Sequence, residues 1–523
     1  MNPYHLIRNT FLLSCLFFVT GTVTADDTPQ IALPGYQAGA GITQKSIHDI
    51  MEWALKTYNT PGASVAIIKD GEIFLAEGFG IRNTDTGAPV DNETLFQLAS
   101  VSKTFTAAAF GAQVDKKNLT WDIAASEVLT DFEMNLPYAT KWANGTDFLV
   151  HRAGFPAFSG DIFDHLGFSR NDIQHRIRFV EPAYSFRDRP AYSNIGFFLA
   201  GEMVAQAGKG SFESVLQDSI LTPLGMENTG KAEQLLNQGS NDNIAVSHIP
   251  KDNGFKVVPH NLSKVFVAAG GIASNANDLA SYIQMLLNEG EFDGKQVLSP
   301  ETITQIFEPV ISSDISFSEF LPIDENSGFD YSPGWGVYHY NGLKILEKGG
   351  ALDGVRTLIV LVPQEKFGIA ILSNMNLTSL PEAVRAGLLQ QMFGQPGEVD
   401  FQPEIYTQST QIKELFSSIY QAPLPNKKLS PEQINAFVGQ YSSDLYGVWE
   451  VARDDKEPSS LVLLCGPAHY RGTVTILDEK TLGIKLPLVL NIMQEASFEI
   501  SEGQQATSFT FDDQKFRRLP SGQ

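Results

Sequence analysis

Ser100-Val101-Ser102-Lys103 sets a hydroxyl and an amine three residues apart. On a helix that spacing puts both on one face, a single turn apart. A serine hydroxyl is a poor nucleophile until a neighbour takes its proton, and a lysine held there can share that task. The surroundings fit a helix start. Phe96, Leu98 and Ala99 form an apolar lead-in, and Ala107, Ala108 and Ala109 give a tightly packable helix behind it. A serine in the first turn has its oxygen near free backbone N–H groups and the positive end of the helix dipole. A Ser-x-x-Lys quartet arises by chance about once in a chain of this size, so its neighbours must carry the case.

Two further segments complement it. Tyr192-Ser193-Asn194 lies within Pro190-Ala191-Tyr192-Ser193-Asn194-Ile195-Gly196. A phenol ordinarily loses its proton near pH ~10, and a nearby ammonium lowers that value. Tyr192 can then act as base or proton shuttle, coupled to Lys103. Asn194 offers a donor and an acceptor, suited to an amide substrate or to orienting Lys103. The other segment is Lys348-Gly349-Gly350-Ala351, just before a strand hairpin. Glycines beside a strand let a ligand approach the backbone. The backbone N–H of Ala351 can pair with that of Ser100 around an oxyanion, and Lys348 can hold a substrate carboxylate. Each segment alone reads more simply as an ordinary turn or loop.

In this order the three segments resemble the signature of the serine β-lactamase and penicillin-binding protein family. The branch they look like has Tyr-x-Asn as its second triplet. Class C β-lactamases, certain DD-peptidases, D-amino-acid peptidases and related esterases share it. The separations, 92 residues from Ser100 to Tyr192 and 156 from there to Lys348, suit that branch. So do His151-Arg152-Ala153-Gly154-Phe155-Pro156 and Ala269-Gly270-Gly271-Ile272-Ala273-Ser274. The resemblance covers residues of about 40–395. It implies an α/β (α+β) fold: an antiparallel sheet flanked by helices, plus an all-helical region. It also implies that Ser100 is acylated, with Lys103 and Tyr192 moving the proton. Asn194, Lys348, Gly349 and Gly350 would bind substrate, with no metal and no cofactor. Two residues depart from the pattern. Class C β-lactamases have a threonine where Gly349 stands, and many peptidases and esterases of the branch have His or Trp where Lys348 stands. His151 is expected to order its loop rather than to catalyse.

These residues need elements to carry them. Ile47, Ile50, Met51, Ala54, Leu55 and Tyr58 recur at helical spacing, which predicts a helix over 44–58. Ser64–Ile68 and Ile73–Ala76 read as strands joined by Asp70-Gly71, a pair suited to the positive φ angles of a tight turn. The section of about 100–290 reads as helix and loop, with a helix at 277–289. Strands at 358–362 and 367–372 and a helix at 381–393 follow. A sheet built from both chain ends around a helical middle is the economical arrangement. Residues 396–430, rich in proline, read as a linker with one short helix near 408–420. From 431 on, short strands about ten residues apart, at 449–451, 461–464, 473–476, 488–492, 498–500 and 508–511, predict a small barrel or sandwich. With Phe437-Val438-Gly439-Gln440-Tyr441, this tail is similar to the small lipocalin-like β-barrel that often follows such hydrolase domains.

The chain has 523 residues, 43% of them hydrophobic and 19% charged, which is globular and long enough for two or three domains. A net charge of −23 makes it a poor partner for nucleic acid or anionic lipid. Arg8, the apolar run Phe11–Val19 and Val23-Thr24-Ala25 read as a secretory leader over 1–25, so the protein is expected to be exported, periplasmic or secreted. No later stretch is long enough to span a bilayer. Without the leader one cysteine remains, Cys465, at the end of an apolar run that fits core packing. The expected activity is hydrolysis of an amide or ester in a small molecule or peptide, in the manner of a β-lactamase or DD-peptidase. A D-amino-acid peptidase or carboxylesterase is the alternative within the fold. A non-catalytic penicillin-binding or peptidoglycan-sensing protein is the alternative outside it. The oligomeric state is left open.

Overall fold

Thr43 opens the first helix, α1 (Gln44–Thr57), with a capping box. Its side chain accepts the Ser46 N–H while Ser46 takes the Thr43 N–H. Ile47, Ile50, Met51 and Ala54 form its buried stripe. Strands β1 (Gly62–Lys69) and β2 (Glu72–Asn83) follow, joined at Asp70 (φ 56°) and Gly71 (φ 80°), as the Asp-Gly pair predicts. The computed structural model describes residues 31–237, 242–251, 254–313, 324, 327–421, 427–457, 460–486, 493–501 and 504–520. The expected leader over 1–25 and the strand expected over 488–492 lie outside these.

Among the described residues the main sheet has nine antiparallel strands. Their order is Ile311–Ser313, Phe329–Ser332, β3 (Trp335–Tyr340), β4 (Leu343–Leu352), β5 (Val355–Val362), β6 (Phe367–Ser373), β1, β2 and Ala88–Pro89. β1 sits between β2 and β6, so the two chain regions share one sheet as expected. Both of its faces are covered, which is why the central strands read as unbroken apolar runs. Val65, Ile67, Leu358, Val360, Ile369 and Ile371 pack with α1 and with α5 (Leu380–Phe393). Their neighbours Ala66, Ile359, Leu361, Ala370 and Leu372 face a larger core shared with the helical lobe. That lobe holds α2 (Ser102–Asp115), α3 (Asn194–Gly208) and α4 (Ala276–Leu287). Among the described residues three small sheets accompany it, one of them pairing Phe96–Gln97 and Gly230–Lys231 with Ile272–Ser274.

The helix expected near 408–420 starts earlier and is longer, spanning Gln402–Gln421. Pro403 falls in its first turn, where a missing N–H costs nothing. It is docked rather than loose: Ile405 is buried and Gln402 Nε2 donates to Ala383 O at 2.9 Å. Eight antiparallel strands between Gly439 and Arg518 then close into a barrel, the last pairing with the first through Tyr441 and Arg518. Trp449, Phe498, Phe509 and Phe516 fill it. Cys465 is buried there, and burial pushes its thiol well up, as a packing role requires.

Glu347 and Lys348 are neighbours on β4 and therefore point to opposite faces. Glu347 turns to α5, where it accepts from Arg385 Nη1 at 2.9 and 3.0 Å and from Tyr338 Oη at 3.0 Å. Arg385 and Glu347 are 0% and 1% exposed, so removing one partner strands a buried charge. Arg385→Met is expected to cost about 3–5 kcal/mol. The readout is the chemical-denaturation midpoint; an unshifted midpoint would show the pair to be idle.

Candidate active site

α2 is buried on nearly every side, from Ser102 to Gln113, as its small and apolar residues allow. It is preceded by a short 3-10 turn, Ala99–Val101, that carries Ser100. Ala99 adopts φ 49°, a left-handed conformation that costs a non-glycine residue about 1–3 kcal/mol. Ser102 and Thr106 tie the helix to the segment Val267–Gly270 and its continuation. Ser102 Oγ accepts the Ile272 N–H at 3.1 Å, and Thr106 Oγ1 donates to Ala268 O at 2.6 Å.

One turn beyond Ser100, Lys103 is 0% exposed. Its Nζ lies 3.1 Å from Ser100 Oγ, 2.7 Å from Asn194 Oδ1 and 2.6 Å from Ala269 O. Burial holds its pKa well below the ordinary lysine value of 10.5, and the Lys348 charge pushes the same way; Asp161 opposes them. As an ammonium Lys103 donates to all three oxygens. As a free amine it keeps two hydrogens, enough for Asn194 and Ala269, and its lone pair faces the Ser100 hydroxyl. That is the arrangement of a general base on a nucleophile.

Tyr192 is buried between two lysines. Lys348 Nζ donates to Tyr192 Oη at 3.3 Å, and Lys103 Nζ stands 4.8 Å from the ring centroid. The approach to α3 fixes the tyrosine. His151 Nδ1 accepts the Ser193 N–H at 3.0 Å, and its ring lies 4.5 Å from that of Tyr192. Burial, with Lys348 and Lys103 nearby, holds His151 well below its ordinary pKa, so it is neutral and free to accept. Ser193 caps α3 through the Gly196 N–H, which sets Asn194 at the first turn. Asn194 Nδ2 in turn donates to Asp161 Oδ2 at 2.8 Å.

β4 supplies the third side. Gly350 needs to be glycine: a Cβ there would collide with Leu98 O and Thr357 Oγ1 and stand 3.0 Å from Ser100 N. Gly349 is different, since a Cβ there meets only ordinary contacts at 3.8 Å. Ser100, Lys103, Tyr192, Asn194 and Lys348 thus share one site, with Gly349, Gly350 and Ala351 on its bordering strand. Sequence reasoning missed two members: the Ala269 carbonyl, which any residue can supply, and Asp161, which sits in no motif. Among the described residues no group of three or more His, Cys, Asp or Glu side chains is placed to hold a metal ion.

A two-core α+β domain with these three motifs gathered between sheet and helical lobe defines the β-lactamase and penicillin-binding protein class. The Beta-lactamase family model matches residues 45–391, well over half of the chain, and the chain belongs to that family. It is 26% identical over 433 residues to an unguisins hydrolase, ungD, of Aspergillus violaceofuscus, covering 77% of this chain and 75% of that protein. It is 24% identical over 344 residues to protein flp of Staphylococcus aureus, covering 65% of each. The chain thus spans just under two thirds of flp. The octameric penicillin-binding protein homologue from Pyrococcus abyssi shares the fold, with a TM-score of 0.59 at 22% identity over 91% of this chain and all of that one.

Gly350→Ala is expected to displace the Ser100 turn and slow reaction at that serine on the order of 10²-fold, the scale of a small misplacement. The measurement is the rate of covalent labelling of Ser100 in the folded variant. A wild-type rate would mean that β4 does not need to approach so closely.

Proposed function

We propose that the protein is a serine hydrolase that cleaves an amide or ester through an acyl-enzyme on Ser100. The observation that carries this reading is the buried Lys103 amine 3.1 Å from the Ser100 hydroxyl. In the proposed cycle Lys103 takes the Ser100 proton as Ser100 Oγ attacks the carbonyl carbon. Backbone N–H groups of Ser100 and Ala351 hold the oxyanion that forms. The leaving group departs with a proton delivered through Tyr192, and water then frees the acyl group by the reverse route. The family and the hydrolase name of one relative support this reading. We also propose that the protein works after export, cleaved of residues 1–25, as a β-lactamase-like or DD-peptidase-like enzyme. A D-amino-acid peptidase or esterase uses the same groups.

The first test is labelling by a fluorophosphonate and by a fluorescent penicillin. Both are expected on Ser100, with turnover of the penicillin label in the wild type and a stable adduct from the fluorophosphonate. Ser100→Ala is expected to abolish labelling; a label retained in that variant, located by mass spectrometry, sinks the assignment. Release of the bound label also separates the enzyme from a penicillin-binding protein that only holds its ligand.

Substrate charge provides the second test. Lys348 is 7% exposed beside Tyr192, on the strand whose Gly350 borders Ser100, and the chain as a whole is strongly acidic. A fixed cation there favours substrates bearing a carboxylate, while Gly349 lacks the hydroxyl that helps bind the β-lactam carboxylate in class C enzymes. β-Lactams are therefore expected to be slow substrates, and acyclic esters or D-amino-acid amides with a free carboxylate to exceed their amidated analogues in kcat/KM. Lys348→Ala is expected to erase that advantage, on the order of 1.5–3 kcal/mol for a charge-assisted bond. If the amidated substrate wins in the wild type, the carboxylate role of Lys348 is wrong and the esterase reading takes first place.

A further inference from the structure

Asp161 lies in a segment that belongs to no motif, yet it touches the site through Asn194. An amide side chain can turn over, exchanging its donor and acceptor ends. Lys103 requires the Asn194 oxygen, and a carboxylate requires the Asn194 NH2. With Nδ2 on Asp161 at 2.8 Å and Oδ1 on Lys103 at 2.7 Å, only one orientation satisfies both. The other Asp161 oxygen is buried with no hydrogen-bond partner. Nothing in ordinary packing rewards a carboxyl in that place.

The C-terminal barrel holds this segment from behind. Tyr446 of the barrel is 1% exposed; its oxygen accepts the Gly160 N–H, and its hydroxyl donates to Asp512 Oδ2 at 3.0 Å. The Tyr446 ring lies 5.6 Å from that of Phe163. Ala468 N donates to Leu166 O at 2.9 Å, and Arg176 Nη1 donates to Asp444 O at 2.6 Å and to Leu445 O at 3.1 Å. Gly167 lets the two parts close up, since a Cβ there would stand 2.7 Å from that of Ala468. The same segment reaches the other anchor of Lys103. Asp164 Oδ2 accepts from Ser263 Oγ at 2.6 Å and from Lys264 N at 2.7 Å, in the loop that leads to Ala269.

We propose that Asp161 is a positioning residue for the Lys103 base and that the C-terminal barrel keeps it in place through Tyr446. This rests on the reading of Ser100 and Lys103 as nucleophile and base. The groups facing Asp161 are Asn194, Lys103, Asp512 and Tyr446. Burial raises its pKa to about 7 even though Asn194 and Lys103 pull it down and Asp512 adds to the rise. Its charge stabilises the ammonium form of Lys103, so losing that charge lets Lys103 give up its proton at lower pH.

The test uses the full chain and the rate of Ser100 labelling by a fluorophosphonate as a function of pH. In wild type the rate is expected to rise as Lys103 loses its proton and to level off below the usual lysine range. Asp161→Asn is expected to lower the plateau on the order of 10²-fold and to move the rise to lower pH. A merely structural role would lower the rate without moving the rise. Tyr446→Phe keeps the ring and removes the hydroxyl; it is expected to lower the plateau about tenfold with the fold intact. It also carries the test if Asp161→Asn does not fold. Labelling of wild type elsewhere than Ser100 overturns the hydrolase reading itself. Labelling at Ser100 with an unmoved rise in Asp161→Asn overturns the role of Asp161, and a wild-type plateau in Tyr446→Phe overturns that of the barrel.

Discussion

An amine with no access to water governs this molecule. Moving a charged ammonium out of water costs many kilocalories per mole, and a buried lysine ordinarily escapes that cost by losing its proton. Lys103 has oxygen atoms on three sides to receive its hydrogens, each delivered by a different part of the chain. Ser100 comes from the turn before α2, Asn194 from the start of α3, and Ala269 from the segment Val267–Gly270. Each of those parts is itself held by buried apolar neighbours, so the core of the helical lobe fixes the geometry of one nitrogen. Packing of the lobe is thus what disfavours the charged form of that nitrogen.

A second cation stands close by without being neutralised by its neighbour in sequence. Strand alternation is the reason. Glu347 is turned to the opposite face and engaged by Arg385, while Lys348 faces Tyr192. Burial already drives Lys103 and His151 toward their neutral forms, and Lys348 raises the local potential around both and pushes the same way. Neutral His151 can accept the Ser193 N–H and brace the tyrosine; neutral Lys103 can accept a proton. One charge, placed by the period of a strand, thus adds to burial in pushing two other residues toward their neutral forms.

How much of this was legible depends on the range of each interaction. Ser100 and Lys103 are one helical turn apart, so their partnership is local and visible in the quartet itself. Tyr192 and Lys348 come to the site only through the tertiary fold, and without the family resemblance their segments read as turn and loop. The central strands were legible because two covered faces demand unbroken apolar runs. The barrel strands Thr481–Lys485 and Gln514–Arg518 escaped notice because each is only five residues long and shows no run of large apolar side chains. The helix Gln402–Gln421 was underestimated because its proline looked like a stop rather than a first-turn residue. Asp161 was invisible for a further reason. Its meaning depends on which way an amide 33 residues away is turned, and on a barrel nearly 300 residues later.

The two glycines of β4 show how the same residue type can answer different demands. Gly350 is imposed by the fold, because any side chain there runs into the backbone around Ser100. Gly349 is not, because space for a Cβ exists beside it. A residue that packing does not require is set by something else, and with Ser100 as the proposed nucleophile beside it that agent is the substrate. The family fold tolerates many substrates on one frame, and the relatives bear names as different as unguisins hydrolase and protein flp. What distinguishes this chain within the frame is therefore to be sought at positions such as Gly349, where the fold leaves room for a side chain.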